Sequence, residues 1–201
     1  MSQDLKQHTI IEAATKRFAH FGVAKTTMSE IASDLSMSKA ALYYYFPDKN
    51  SLYAAVLNTI MDENAAQNDV VLQKENNPFK AINFYLERRT QFIIKYHNLV
   101  EYLKTYSMNN LPSELQPLFM RIRNREMERV VSILEKGVQN GMFKIDNIKS
   151  TAELFFDFLE GFRNLSFAHN RTIFPDKKEF LSVLKREIEF ANIFFRGLTV
   201  S

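Results

Sequence analysis

The tightest constraint on this chain lies in residues 26–49, TTMSEIASDLSMSKAALYYYFPDK. Thr27 followed three residues later by Glu30 forms a capping box, in which hydroxyl and carboxylate each satisfy an orphan amide at a helix start. Met28, Ile31, Ala32 and Leu35 then supply a buried stripe at helical spacing. This helix has room for only about two turns, because Ser36-Met37 reads as a turn and Ser38 caps another helix. Met37 and Leu42 sit as a hydrophobic staple across that second cap. Pro47 disfavours helical backbone at Phe46, and Asp48 is placed to cap a further helix running to about Lys74. Upstream, Ile10, Ile11, Ala14, Phe18 and Phe21 recur at helical spacing over 5–21, with Gly22 as the stop. Two short helices joined by a tight turn make a helix-turn-helix pattern.

Three consecutive tyrosines then need a home. On a helix beginning at Lys39, Leu42 and Phe46 fall one turn apart and point inward. Tyr45 takes an intermediate angle, while Lys39, Ala40, Tyr43 and Tyr44 face outward. One reading makes Tyr43–Tyr45 core-edge residues that bury a ring and wet a hydroxyl. The order of capping box, turn, staple and proline stop favours the other, in which two rings stand out for phosphates and base edges. The N-terminal part of a DNA-reading helix enters the major groove, while hydroxyls, lysines and amides hold phosphates.

The segment TTMSEIASDLSMSKAALYYYFPDKNSLYAAVL resembles the DNA-binding signature of TetR-family transcriptional regulators, and the likeness covers roughly residues 8–57. It implies that Thr27 caps the second helix and meets a phosphate. Ser38, Lys39, Ala40 and Ala41 would form the base-reading face, with Tyr43, Tyr44 and Lys49 clamping the DNA backbone. Alanine can offer base edges only contact with thymine methyls, so Lys39 is the candidate for direct readout. Two departures stand out: Ser36-Met37 where the family often has Gly-Val, and Tyr45 in place of a frequent His. Lys136-Gly137 to Asn140-Gly141-Met142-Phe143 also resembles a common late-helix boundary of the family.

Beyond residue 50 the chain reads as helical throughout. Only 5 glycines and 5 prolines punctuate its 201 residues. Breaks are expected at Asn76-Asn77-Pro78, Asn109-Asn110-Leu111-Pro112, Asn140-Gly141 and Phe174-Pro175-Asp176, the last leading into a capping box of Asp176 with Glu179. The alternation in Met142–Ile145 is too brief for a strand. Of 18 phenylalanines, 15 follow residue 50. Residues 154–162 and 190–195 are apolar on nearly every side, so such helices need burial on two sides. One side can be the chain's own core and the other a twofold partner; a single thick core is the alternative. The resemblance implies a four-helix dimer interface from the last two helices, with Phe155, Phe162, Phe190 and Phe194 as candidates. It also implies a ligand pocket among the middle helices. Candidates are Phe84, Phe92, Tyr96, Tyr102, Tyr106, Phe119 and Phe158, with Arg163, His97 or His169 for polarity, though each ring can equally be ordinary core. Rings and 8 methionines lean toward a small hydrophobic effector.

Other chemistries find little support. The chain has no cysteine, which excludes disulfides and thiolate metal sites. His8, His20, His97 and His169 show no metal-ligand spacing, and no phosphate loop or nucleophile elbow occurs. No cofactor and no enzymatic activity are expected. Glu153, Asp157 and Glu160 share a helical face that reads as a solvated stripe or a polar seam with Arg163. Arg121, Arg125 and Arg129, of a cluster that includes Arg123, share another, read as a solvated face in preference to a second DNA site. A net charge of +3 selects no partner. The first ten residues lack a signal-peptide pattern and no run is apolar enough to span a bilayer, so a cytoplasmic protein without membrane association is expected.

The expectation is therefore all-α: an N-terminal three-helix helix-turn-helix DNA-binding domain over 1–48, then a larger ligand-binding and dimerisation domain over 49–201. The function expected is sequence-specific binding to double-stranded DNA by a homodimeric transcriptional regulator, a ligand-released repressor at a near-palindromic operator. Two alternatives remain: a DNA binder that occludes the chromosome, and a helical lipid-binding protein that has lost DNA binding.

Overall fold

The computed structural model describes residues 3–104, 110–169 and 176–200, with backbone alone at 67, 104, 168 and 169. The described residues form α1 (Gln3–Phe21), α2 (Met28–Asp34), α3 (Lys39–Tyr45), α4 (Lys49–Lys74), α5 (Pro78–Lys95), α6 (His97–Lys104), α7 (Gln116–Gln139), α8 (Ile148–His169) and α9 (Lys177–Gly197). The expected all-α class holds. The alternation at Met142–Ile145 adds just an isolated antiparallel bridge, Phe143 to Thr199. No described helix is long and apolar enough to cross a membrane.

Local chemistry sets most boundaries. Gly22 ends α1 at φ +83°, a left-handed conformation that glycine adopts without strain. Asp48 Oδ1 accepts the Ser51 amide at 2.7 Å and starts α4. Asn77 Oδ1 accepts the amides of Phe79 and Lys80 at the start of α5. The Asp176–Glu179 capping box opens α9. One break was not foreseen: α5 gives way to α6 at Tyr96, where neither glycine nor proline marks the chain.

Packing divides the chain into Met1–Ala65 with Lys95–Arg121, and Ala66–Ile94 with Ile122–Ser201. This differs from the division at residue 48, because residues 49–65 and 95–121 cluster with the N-terminal helices. In the first unit Ile10, Ala14 and Phe18 of α1 are buried with Ile31 of α2, Leu42 of α3 and Leu52, Tyr53 and Val56 of α4. Phe21, expected in that stripe, is 53% exposed. Tyr53 is fully buried, yet its hydroxyl donates to the Leu99 carbonyl at 2.6 Å. Asn98 Nδ2 donates to the Ala19 carbonyl at 2.7 Å, which caps the end of α1.

The second unit has a core of Ala81, Ile82, Tyr85 and Leu86 (α5), Val130, Ile133 and Leu134 (α7), Phe143 between α7 and α8, Phe155 and Leu159 (α8), and Leu184, Ala191 and Phe195 (α9). Each large side chain withdrawn from water here contributes about 1.5–3 kcal/mol. The late-helix boundary has a physical explanation. A Cβ on Gly137 would lie 2.1 Å from the Phe143 ring, which is itself packed edge-on to Phe79 and Phe195. Lys136 Nζ donates to the carbonyls of Leu72, Gln73 and Glu75 and so caps the end of α4. Gly141 makes the turn at φ +68°.

Candidate nucleic-acid interface and effector residues

The caps and turn of the helix-turn-helix are built from groups three to five residues apart. Thr27 Oγ1 accepts the Glu30 amide at 3.3 Å, and the Glu30 carboxylate accepts the Thr27 amide at 2.7 Å and hydroxyl at 2.8 Å. Both donors of Thr27 are thus already engaged, so its first task is the cap. In the turn, the Ser36 amide donates to Ser33 O at 3.0 Å and the Met37 amide to Ala32 O at 2.9 Å. That pair of bonds is the Schellman arrangement, which places Ser36 in the left-handed region. Its φ is +51°. The serine therefore adopts the conformation that the glycine common in this family would take unstrained, and the turn is closed despite the departure.

Ser38 caps α3 by accepting the Ala41 amide at 3.1 Å. Leu42 is fully buried and Phe46 nearly so, while Tyr43 is 38% and Tyr44 74% exposed and Tyr45 is half-buried. The tyrosines thus divide as the helical geometry predicts. Lys39 and Ala40 are exposed, and the Lys39 ammonium lies 5.7 Å from the Tyr43 ring centroid, one turn on. Tyr44 and Tyr45 meet edge to face at 5.3 Å.

Lys49 stands differently from the expectation of a backbone clamp. Its ammonium donates to the carbonyls of Val23 at 3.0 Å, Ala24 at 3.3 Å and Thr26 at 3.2 Å. An ammonium has three donors, and all three tie the start of α4 to the loop after α1. Arg17, which sequence reasoning did not single out, locks α1 to α2 through a two-point bond to Asp34, with Glu30 at 3.6 Å. The hydrogen bonds from Thr27, and then Arg17, hold Glu30 below the usual carboxylate range, and Arg17 does the same for Asp34.

The candidate effector residues fall in both units. Tyr96, Tyr102 and Phe119 belong to the first, Phe84, Phe92, Phe158 and Arg163 to the second, and Tyr106 lies outside the described residues. Tyr102 packs edge-on against Tyr53 at 5.0 Å and its hydroxyl bonds to Asn50 at 3.1 Å. Phe158 does not line the interior: it is 55% exposed and stacked on Phe190 at 4.4 Å. Phe155, expected at a dimer interface, is fully buried in its own unit's core, whereas Phe162, Phe190 and Phe194 are half-buried. The open apolar positions are instead Leu154, Phe158 and Leu165, one stripe of α8, with Leu181 and Ile193 on α9.

Arg163 belongs to a buried polar network. Its Nε and Nη2 donate to the two oxygens of Glu187 at 2.9 and 2.8 Å, and Nη2 lies 3.5 Å from Thr90 Oγ1. Arg89 pairs with Glu160 and, through Nε at 3.3 Å, with Glu126. Glu126 also accepts the Tyr85 hydroxyl at 2.8 Å and pairs with Arg129, which reaches Asp69 at 2.9 Å. Burial, then the Glu126 carboxylate, pushes the Tyr85 phenol well above its usual range. Burial opposes the charge on Arg89, but the Glu160 and Glu126 carboxylates outweigh it and hold the guanidinium charged. The arginine face of α7 is therefore solvated only in part: Arg129 is withdrawn into this network, whereas Arg121 stays exposed while pairing with Asn58 and Asp62 at 2.6 Å. Among the described residues no group of three metal-ligating side chains occurs.

Residues 10–56 match the family model described as bacterial regulatory proteins, tetR family. The HTH-type transcriptional regulator YuxN of Bacillus subtilis (strain 168) is 31% identical over 129 residues, covering 61% of this chain and 42% of YuxN. A transcriptional regulator from Cytophaga hutchinsonii has a crystal structure that superposes with a TM-score of 0.82 at 30% identity, covering 97% of this chain and 99% of that one. The fold also matches the transcriptional regulator FadR of Bacillus subtilis, solved in complex with stearoyl-CoA, at a TM-score of 0.68 and 17% identity over 90% of this chain and 95% of that one. With the helix-turn-helix geometry above, these likenesses identify the chain as a member of the TetR family of transcriptional regulators.

Proposed function

We propose that the chain is a homodimeric, sequence-specific DNA-binding repressor that leaves a near-palindromic operator when a small hydrophobic effector binds. Residues 1–48 act as the reading head, and residues 49–201 hold the effector and the partner subunit. The observation that carries this reading is the division of α3. Leu42 and Phe46 lock the helix into its own unit while Lys39, Ala40, Tyr43 and Tyr44 stand in solvent. Lys39 reads base edges, Ser38, Ala40 and Ala41 allow close approach, and the hydroxyls of Tyr43 and Tyr44 hold phosphates. Thr27 and Lys49 serve this face mainly by fixing its frame, since their donors are engaged within the unit.

The exposed stripe of α8 and the apolar positions of α9 support dimerisation, because contiguous open apolar faces mark interaction surfaces. Two heads on one twofold axis would enter successive major grooves about 34–36 Å apart. The acyl-CoA complex of FadR supports an apolar-bodied effector by likeness of fold. Release follows if the effector favours a head spacing that no longer fits the duplex.

In vitro selection of bound DNA fragments, followed by binding titrations over salt concentration, tests the reading. Lys39→Ala should relax preference at particular bases, and Tyr43→Ala should weaken binding to all sequences and flatten the salt dependence. A chain that selects no common motif, or that sediments as a single subunit when bound, would refute it.

A further inference from the structure

The second unit carries two buried donors that its own fold does not use. Arg89 Nη1 and Arg163 Nη1 are shielded from solvent with no hydrogen-bond partner among the described residues. Their remaining donors are committed, Arg89 to Glu126 and Glu160 and Arg163 to Glu187 and Thr90. The two arginines share a carboxylate's surroundings: Glu160 pairs with Arg89, and the Arg163 charge also acts on it. Arg163 is 9% exposed and Glu187 0%, so this polar patch is set into the unit rather than laid on its surface. Proteins rarely leave such N–H groups unmatched, because an unmade bond to a buried donor sacrifices its lost hydration.

The charge balance says what would match them. Arg89, Arg129 and Arg163 face Glu126, Glu160, Glu187 and Asp69, so three guanidinium groups are already answered by four carboxylates. A further anion would gain hydrogen bonds but meet those carboxylates in a medium that screens poorly. An uncharged acceptor oxygen takes the same N–H groups without bringing a second buried charge. The Phe156 ring under Arg89, at 5.5 Å, supplies an apolar wall beside it.

Resting on the effector reading above, we propose that Arg89 and Arg163 form the polar end of the effector site, and that this end takes a neutral carbonyl-type oxygen (ketone, ester, amide or thioester) on an apolar body. A free carboxylate or phosphate is disfavoured there.

The test uses the full-length chain and three probes of matched body: 2-nonanone, methyl octanoate and octanoate. Calorimetry should show the ketone and ester binding at least about tenfold more tightly than octanoate. On arginine-labelled protein, the ketone should shift the side-chain nitrogen signals of Arg89 and Arg163. The double variant Arg163→Met with Glu187→Met removes a buried pair together, so neither charge is stranded. It should keep its helical melt and specific DNA binding while losing about tenfold or more in ketone affinity. Octanoate binding as tightly as the ketone would overturn the proposal. So would undiminished ketone binding by the double variant, or no binding of either neutral probe at millimolar concentration with the arginine signals unmoved. The probe series on the unaltered chain decides even if the double variant fails to fold. Absence of specific DNA binding by the unaltered chain would instead count against the proposed function and leave the ligand result standing.

Discussion

The caps of the helix-turn-helix and the buried network of the second unit satisfy their polar groups in opposite ways. In the first, partners sit three residues apart: Thr27 with Glu30, Ser38 with Ala41, Asp48 with Ser51. In the second the network reaches across as many as 73 residues: Tyr85 with Glu126, Arg89 with Glu160, Arg163 with Thr90. Local satisfaction makes a small head rigid with little core, as a groove-reading wedge needs. Distant satisfaction makes the second unit depend on all its helices arriving together. Damage should accordingly remain local in the head and spread in the second unit.

The largest test of this contrast is Glu187→Ala, which strands the Arg163 guanidinium in the interior. Loss of one partner of a buried pair costs about 3–5 kcal/mol, read as a lower urea midpoint of the second unit. Removing both partners should restore much of it. Next is Gly137→Ala. Overpacking against Phe143 costs about 1–3 kcal/mol, and the better helix propensity of alanine returns about 1 kcal/mol. A net destabilisation of up to about 2 kcal/mol is expected in chemical denaturation; a gain would mean that the Phe143 ring moves easily.

Changes in the head should be smaller and confined to it. Thr27→Ala should remove about 1 kcal/mol, seen as faster amide exchange in α2 with the second unit unaffected. The same cap gives the head an acid dependence. Glu30 and Asp34 are held below their ordinary range by Thr27 and Arg17, so their contribution is complete above the unfolded carboxylate pKa. It is lost as pH falls through the lower folded values. Amide exchange in α2 measured from neutral pH downward should accelerate in that window, and Arg17→Ala should weaken the dependence. Smallest is Ser36→Gly. Relief of the left-handed strain, about 1–2 kcal/mol, is partly offset by glycine's greater freedom when unfolded, about 0.4–1 kcal/mol. A stabilisation of about 0.5–1 kcal/mol should appear in the thermal melt, with DNA preference unchanged.

The same contrast governs what could be read from the amino-acid order. Caps, turns and the inward placement of Leu42 and Phe46 are visible because the interacting groups are near neighbours in the chain. Most later helices were visible through the breaks around Asn77-Pro78 and Asn140-Gly141. The α5–α6 break at Tyr96 carries no such mark. Lys49 is legible as one position of the family's signature but not as an internal tie, because the carbonyls of Val23, Ala24 and Thr26 lie 23–26 residues away. Phe155 and Phe158 sit three residues apart on one helix, one buried and one exposed, and aromatic content alone does not separate them. The pairing of Arg163 with Glu187 links two helices whose juxtaposition no local spacing announces.

The Lys49 anchor has a thermodynamic corollary. A wedge whose ammonium tie, caps and reversed bend are complete before any duplex arrives brings little residual freedom to be quenched on docking. Its association should therefore carry the heat-capacity change of a rigid contact, without the larger change that accompanies a segment folding as it binds.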